Sequence, residues 1–225
     1  MLFRSPDGTI RLAQAQFTDT VPAASVSTYV VTGTGTALSG SFARHPWVEQ
    51  AAPGLEIGAE VRDTFNVPYR AFATGTPETL QETPLVRVQR YHRHHQPVIA
   101  QGIGRDYLAS TFYVTEFHDM PFVVVDWVVA NDYLGADVLP PGNTDPNLCP
   151  LGMIDVREAR FLANGMSGFW PYGQLQHGIS NLQLQSDGYA AFSVLQNSYL
   201  EDGQTRRYRF LMYCEDPAAP AVEKD

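Results

Sequence analysis

The most unusual stretch of the chain is a basic, histidine-rich run at residues 87–95. Successive side chains of a β-strand point to opposite faces, so Arg90, His92 and His94 are expected to share one face. Such a strip combines cationic, aromatic and titratable groups within one strand. It is the first candidate for a binding site. The candidate ligand-binding residues are Arg90, Tyr91, His92, Arg93, His94 and His95.

Three interpretations of this strip stay open. Two histidines two residues apart can bind one metal ion, although no cysteine is near and the local arginines repel a cation. The guanidinium groups of arginine form paired hydrogen bonds with an anion, such as the carboxylate of a uronate sugar. The simplest alternative is a solvated strand end whose cations contact acidic neighbours.

A second candidate site is the loop at 139–147, which is rich in Asn, Asp, Pro and Gly and is preceded by Asp132. Asp137, Asn143 and Asp145 offer the hard oxygen ligands that Ca²⁺ prefers. Their spacing differs from that of an EF-hand, and the same residue types are common in ordinary turns. Calcium is therefore the one cofactor that the sequence suggests, and a plain loop is the alternative.

A third candidate is the glycine-rich segment 168–173, which contains Phe169, Trp170 and Tyr172. Glycines provide no side-chain cover, so an aromatic cluster here must pack against something else. Trp and Tyr are enriched at the centres of protein interfaces. The segment predicts either an interface, with the chain forming a homo-oligomer or binding other subunits, or a lid over the end of the fold.

The elements that position these residues are predicted to be strands. Short apolar or alternating runs are separated by 18 glycines and 16 prolines, and helical periodicity is nearly absent. About ten strands at this spacing predict an all-β fold, an antiparallel β-sandwich. The predicted strands span 9–17, 25–32, 41–49, 55–62, 85–95, 111–117, 122–131, 154–162, 179–185, 189–197 and 205–214.

The linker-like composition of residues 74–79 suggests a boundary inside the chain. The predicted organisation is a small β-barrel-like portion at 1–75, the antiparallel β-sandwich at 76–215 and a flexible tail at 216–225. The nearly continuous apolar run in 122–131 predicts a strand buried on both faces, with Trp127 in the core.

Composition excludes several classes of protein. The chain has 225 residues, 44% of them hydrophobic and 12% aromatic, which excludes intrinsic disorder. Apolar runs are far shorter than the roughly 20 residues of a membrane-spanning helix. The net charge of −9 argues against a nucleic-acid partner.

The basic and sulfur-containing residues limit the catalytic groups that the chain can offer. Fourteen of the 15 basic residues are arginine, and the single lysine is Lys224 in the tail, so no lysine in the body can act as a base or nucleophile. Whether Cys149 and Cys214 pair is open. The N-terminus lacks the apolar segment of a signal peptide, so we expect a cytoplasmic protein or one carried on a virion or other particle.

Two groups of motifs resemble the rhamnogalacturonan exolyase family. SPDGTIRLA at 5–13, VPAA at 21–24 and STY at 27–29 are similar to its small N-terminal barrel. Residues 105–131 and 200–206 are similar to its central β-sandwich. The pattern of this chain predicts neither the further leading strands nor the helical toroid of that family. No catalytic residue is carried over from it, because no catalytic motif matches.

The resemblance implies a β module related to carbohydrate-active enzymes. We therefore expect a non-catalytic module for carbohydrate recognition or assembly, for example a phage virion decoration or appendage protein. The alternative is a polysaccharide lyase or hydrolase acting on uronate-containing glycans. A lyase needs a base near the proton α to the carboxylate, which here would be a His, Tyr or Arg side chain.

Overall fold

The protein is an all-β sandwich, as the sequence predicts. The computed structural model describes residues 2–4, 10–13, 39–99, 108–132, 153–171, 182–185, 187–201 and 203–215. The first strands are β1 Leu2–Arg4, β2 Ile10–Ala13, β3 Glu56–Arg62, β4 Pro68–Phe72, β5 Glu78–Glu82, β6 Val86–His94 and β7 Gln96–Pro97. The remaining strands are β8 Leu108–Phe117, β9 Phe122–Asn131, β10 Ile154–Asn164, β11 Gly168–Pro171, β12 Leu182–Leu184, β13 Ala190–Leu200 and β14 Thr205–Tyr213.

Two six-stranded antiparallel sheets make up the sandwich. Sheet I has the strand order β12-β13-β10-β3-β4-β7, and sheet II has the order β11-β14-β9-β8-β6-β5. Strands β1 and β2 form a separate antiparallel ribbon in which Phe3 pairs with Leu12. No helix in the described part of the chain has the length and apolar character needed to cross a bilayer.

The core lies between the two sheets and is rich in aromatic rings. Trp127 of β9 is fully buried, which confirms its predicted place in the core. The prediction that this strand is buried on both faces is wrong, because Val124 and Val128 on its other face are only partly buried. The rings of Phe161 on sheet I and Phe210 on sheet II stack with centroids 3.9 Å apart. The Trp127 ring lies 6.2 Å from that of Phe161. Alternation places these side chains inward, and it leaves the intervening residues of each strand on an outer face.

The strand predicted at 41–49 is wrong, because this segment contains the helix α1, Pro46–Ala51. The His45 side chain accepts a hydrogen bond from the Trp47 amide and so caps the helix. Pro46 occupies the first turn, where its missing N–H costs nothing. Val48 is the buried residue of this short helix, and a 3₁₀ turn at Ala52–Gly54 follows it.

The predicted division near residue 75 does not separate β3 and β4 from the sandwich. Both strands lie inside sheet I, where β3 pairs with β10 along seven residues. β3 and β4 lie between β10 and the edge strand β7, so they are part of the sandwich. The barrel-like portion predicted at 1–75 stays a prediction, and within residues 1–38 only β1 and β2 are described. The predicted strand 25–32 and the tail 216–225 lie outside the described residues.

Candidate binding face of sheet II

The histidine-rich strip forms strand β6, which lies between β5 and β8 in sheet II. Its register pairs Arg90 with Tyr113, and His92 with Thr111. Neighbouring β8 residues Phe112 and Val114 point into the core. Arg90, His92 and His94 are therefore on the outer face, away from sheet I, as the alternation predicts.

A row of polar side chains crosses five of the six strands on this outer face. The paired registers place its members on five consecutive strands, β14, β9, β8, β6 and β5. In that order they are Arg209, Asp126, Tyr113, Arg90 and Glu78. Opposite charges adjoin at both ends of the row, and the Arg90 guanidinium forms an ion pair with Glu78.

Asp126 is the charged centre of this row, although it interrupts the apolar run of β9. Arg209 donates to both of its carboxylate oxygens, from Nε at 2.7 Å and from Nη2 at 3.0 Å. Arg207 donates from Nε at 3.1 Å. Burial alone would raise the pKa of Asp126, but the hydrogen bonds and charges of these arginines hold it below its usual value. Asp126 is thus a carboxylate flanked by two cations.

Next to Asp126 the outer face contains a groove of mixed chemistry. The rings of Phe117 and Phe122 lie 5.7 Å apart at one side, and the Asp126–Arg209 pair lies at the other. A groove of this kind offers apolar contact and directed hydrogen bonds to one ligand. The lining residues are Thr115, Phe117, Phe122, Val124, Asp126, Arg209, Phe210 and Leu211.

At the far end of β6 the fold brings a carboxylate to the two exposed histidines. Asp132 follows the last residue of β9, and its Oδ2 lies 3.3 Å from His92 Nε2 and 3.8 Å from His94 Nε2. One ligand atom from each of the three side chains lies within 4.8 Å of the other two. The other ring nitrogen of His92, Nδ1, is 2.9 Å from the hydroxyl of Thr111.

The other half of the strip does not reach this face. Tyr91 packs against the core, and burial together with the charge of Glu116 raises the pKa of its hydroxyl. The Arg93 guanidinium donates to the backbone carbonyls of Thr74 and His92. These contacts give both side chains structural roles.

His95 is a correction to the predicted ligand set. Strand β6 ends at His94, and the chain then crosses to β7 in sheet I. This crossover buries His95, which is 1% exposed. The imidazole of His95 is therefore out of reach of a ligand on the outer face.

The other predicted site residues are only partly described. Asp137, Asn143 and Asp145, the proposed calcium ligands, lie outside the described residues, as does Tyr172. The Phe169 ring packs against the rings of Phe161, Phe192 and Phe210. Phe169 therefore contributes to the core, which fits the lid interpretation for this residue. The backbone of Trp170 pairs with Leu211 of β14, and its side chain lies outside the described residues.

Comparison with known proteins adds no relative: no protein-family model matches the chain, and neither a curated protein nor a solved structure matches it. The resemblance to the rhamnogalacturonan exolyase family therefore stays a prediction.

The sequence reasoning missed most of the charged centre of the face. Asp126 was hidden in a run predicted to be buried on both faces. A single acidic residue inside such a run was the available signal, because a charge there needs a partner. Arg207 and Arg209 lie 81 and 83 residues further along the chain, and only the pairing of β9 with β14 joins them to it.

Proposed function

We propose that the chain is a binding module that recognises a uronate-containing carbohydrate on the outer face of sheet II. The observation that carries the proposal is the groove, which has the rings of Phe117 and Phe122 at one side and the Asp126–Arg209 pair at the other. A sugar ring has an apolar face and a rim of hydroxyl groups. Aromatic side chains can contact the first, and a carboxylate–guanidinium pair can accept and donate hydrogen bonds at the second.

The charge beside the groove favours an anionic sugar over a neutral one. Asp126 contributes one negative charge, while Arg207 and Arg209 contribute two positive charges. The Arg207 side chain is 60% exposed and uses Nε and Nη2 on Asp126. A guanidinium has five N–H donors, so Arg207 presents further donors to solvent. A uronate carboxylate approaching this side chain gains charge-assisted hydrogen bonds that a neutral sugar lacks.

Isothermal titration calorimetry with oligogalacturonates tests the proposal. We expect the wild type to bind them and to bind a neutral galactan more weakly. Arg207→Gln should reduce affinity about tenfold or more, because a hydrogen bond to a charged group contributes roughly 1.5–3 kcal/mol. Arg157→Gln, which removes an exposed arginine from sheet I, should change affinity less than about twofold.

Two results would contradict the proposal. One is wild-type protein that binds no uronate oligosaccharide. The other is a loss of affinity in Arg157→Gln as large as in Arg207→Gln, which would indicate nonspecific charge attraction. Because Arg207 is exposed, its replacement should leave the fold intact, and a far-UV circular dichroism spectrum checks this.

The enzymatic alternative is tested by product formation. Incubation with rhamnogalacturonan or polygalacturonate should not raise the absorbance of unsaturated uronates if the module only binds. The raised pKa of Tyr91 keeps its hydroxyl protonated, and His95 is buried, so neither suits the role of base. A rising absorbance that is lost in His92→Ala would instead favour the lyase and place its base at the outer face.

An assembly role is the second candidate function, and a different surface favours it. Phe65, in the turn between β3 and β4, is 83% exposed, and Tyr199 of β13 is 49% exposed. Thr64 of this turn, Asp155 of β10 and Tyr199 of β13 line one depression at the same end of sheet I. Exposed apolar groups that lie together are typical of protein interfaces.

We take a second copy of this chain as the occupant of that surface. In the particle version of the proposal, other subunits of a virion take the same place. Sedimentation velocity at micromolar concentration should show an oligomer that Phe65→Ser shifts towards monomer. Leu80→Ser, at an exposed apolar residue of the edge strand β5, should leave the distribution unchanged. A monomeric wild type would contradict self-association.

A further inference from the structure

We infer that His92, His94 and Asp132 bind a divalent transition-metal ion, for which Zn²⁺ is the natural choice. The group lies at the end of β6 and β9, apart from the groove beside Asp126. It supplies two imidazole nitrogens and one carboxylate oxygen, a donor set that suits zinc and related ions.

The distances between the donor atoms fit a single ion. Ligand atoms about 2.1 Å from a tetrahedral zinc are about 3.4 Å from one another. Asp132 Oδ2 lies 3.3 Å from His92 Nε2 and 3.8 Å from His94 Nε2. All donor atoms lie within 4.8 Å of one another. Small rotations of these exposed side chains are enough to bring the three atoms onto one ion.

The surroundings orient His92 as a ligand. Thr111 on the neighbouring strand β8 lies beside its Nδ1, with Oγ1 at 2.9 Å. A histidine that binds metal through one ring nitrogen commonly donates a hydrogen bond from the other. If Nδ1–H donates to the Thr111 hydroxyl, Nε2 carries the lone pair and points to the Asp132 carboxylate. The arrangement thus selects the nitrogen that faces the ion.

The nearby arginines repel a cation less than the sequence suggests. Arg90 is paired with Glu78 on the outer face. Arg87 is paired with Glu116. The Arg93 guanidinium donates to the carbonyls of Thr74 and His92. The carboxylate that the sequence interpretation lacked comes from Asp132, at the end of the second strand along from β6.

Three protein ligands leave coordination positions for solvent or a ligand. The three side chains are between about a third and a half exposed, so an ion can enter from water. A closed structural zinc site usually has four protein ligands. The site is therefore expected to exchange its metal and to bind it less tightly than a structural zinc site does.

Titration of chelator-treated protein with Zn²⁺, followed by calorimetry, tests the inference. We expect one ion per chain with a dissociation constant of about 10 µM or below. Loss of an outer-shell partner typically weakens metal binding about 10–100-fold, so Asp132→Asn and His92→Gln, which change direct ligands, should cost at least as much. His118→Gln removes an imidazole from the turn between β8 and β9 and should leave the affinity unchanged.

Co²⁺ provides a second measurement that depends on ligand geometry. Bound to the wild type, Co²⁺ should show visible absorption typical of low coordination number, and Asp132→Asn should reduce it. A wild-type dissociation constant above about 100 µM would overturn the inference. So would Zn²⁺ binding that Asp132→Asn leaves intact, or that His118→Gln abolishes. The zinc titration does not involve the groove. Zinc binding can therefore be absent while carbohydrate binding is present, and carbohydrate binding can be absent while zinc binding is present.

Discussion

The His95 imidazole lies 2.7 Å from the Ser110 hydroxyl, inside the sandwich where β6 crosses to β7. Trp127 also points its indole N–H at that hydroxyl, at 2.8 Å. The other ring nitrogen, Nδ1, lies 3.0 Å from the backbone carbonyl of Tyr69, which can only accept. Nδ1 therefore carries the proton, and Ser110 relays the hydrogen bond from Trp127 to Nε2. A neutral His95 satisfies every member of this buried network.

The first prediction is that stability falls between neutral and mildly acidic pH. Burial lowers the pKa of His95 to about 4. The hydrogen bond to the Tyr69 carbonyl raises this pKa, and the charge of His94 lowers it further. An unfolded histidine has a pKa near 6.5, so between these values the unfolded chain binds more protons. The free energy of unfolding should be highest above about pH 6.5 and fall by on the order of 3 kcal/mol towards pH 4.

Urea unfolding at several pH values measures this slope. His95→Gln should be less stable at pH 7 but should lose most of the slope. His118→Gln, which removes another imidazole, should keep the slope. Asp126 affects stability in a lower pH range. Its pKa lies below the usual value, so its contribution to the free energy of unfolding is lost only below about pH 4. A wild type whose stability is flat between pH 6.5 and 4 would contradict the prediction.

The second prediction compares two carboxylates that share one arginine. Glu60 is fully buried on sheet I and accepts from Arg62 Nε and Arg70 Nε, each at 2.7 Å. Arg70 also pairs with Asp187, whose side chain is 37% exposed. Removing one partner of a buried ion pair leaves an uncompensated charge, whereas exposed pairs contribute little. Glu60→Gln should thus cost about 3 kcal/mol, and Asp187→Asn less than about 1 kcal/mol.

Chemical denaturation of both variants at pH 7 provides the comparison. Equal losses of unfolding free energy in the two variants would show that burial of Glu60 does not make its ion pairs stronger than the exposed Arg70–Asp187 pair. A stabilised Glu60→Gln would show that desolvation of the carboxylate outweighs its two hydrogen bonds.

The sequence was most informative where local pattern alone determines structure. The apolar run 122–131 predicts a strand with Trp127 in the core, and turn residues around it set its limits. Alternation likewise places Arg90, His92 and His94 together. Alternation also places His95 on the opposite face of the predicted strand, with Tyr91. The error was to include His95 among the candidate ligands, because the crossover to β7 buries it.

The charged partners were beyond the reach of local pattern. Asp132 meets His92 across β8, which separates β6 from β9. Asp126 meets Arg207 and Arg209 only through the pairing of β9 with β14. Register between distant strands depends on the whole packed core rather than on neighbouring residues.

The third prediction concerns the core tryptophan. Trp127 is fully buried and contacts the rings of Phe161 and Tyr208. Trp127→Ala should lower the free energy of unfolding by about 3–5 kcal/mol, because it leaves a large cavity. Trp127→Phe keeps most of the volume and removes mainly the N–H donor to Ser110, so it should cost less, about 1–2 kcal/mol. Thermal or urea unfolding measures both. Full stability in the alanine variant would mean that the core is not centred on β9.

The fourth prediction concerns the 3₁₀ turn that follows α1. Gly165, at the end of β10, has φ of +86°, and Gly188 has φ of +88°. A Cβ at Gly165 would lie 2.1 Å from the backbone oxygen of Gly54 in the 3₁₀ turn after α1, whereas no described atom lies within 4 Å of a Cβ at Gly188.

Gly165→Ala and Gly188→Ala should therefore both lower the free energy of unfolding through backbone strain. A steric clash adds a second loss in Gly165→Ala alone. Both place alanine in the left-handed region, which costs roughly 1–2 kcal/mol. Only Gly165→Ala must also push backbone away from β10, and overpacking of this kind adds about 1–3 kcal/mol. Urea unfolding should show Gly165→Ala as clearly the less stable variant. Equal stabilities would mean that the 3₁₀ turn does not pack against the end of β10.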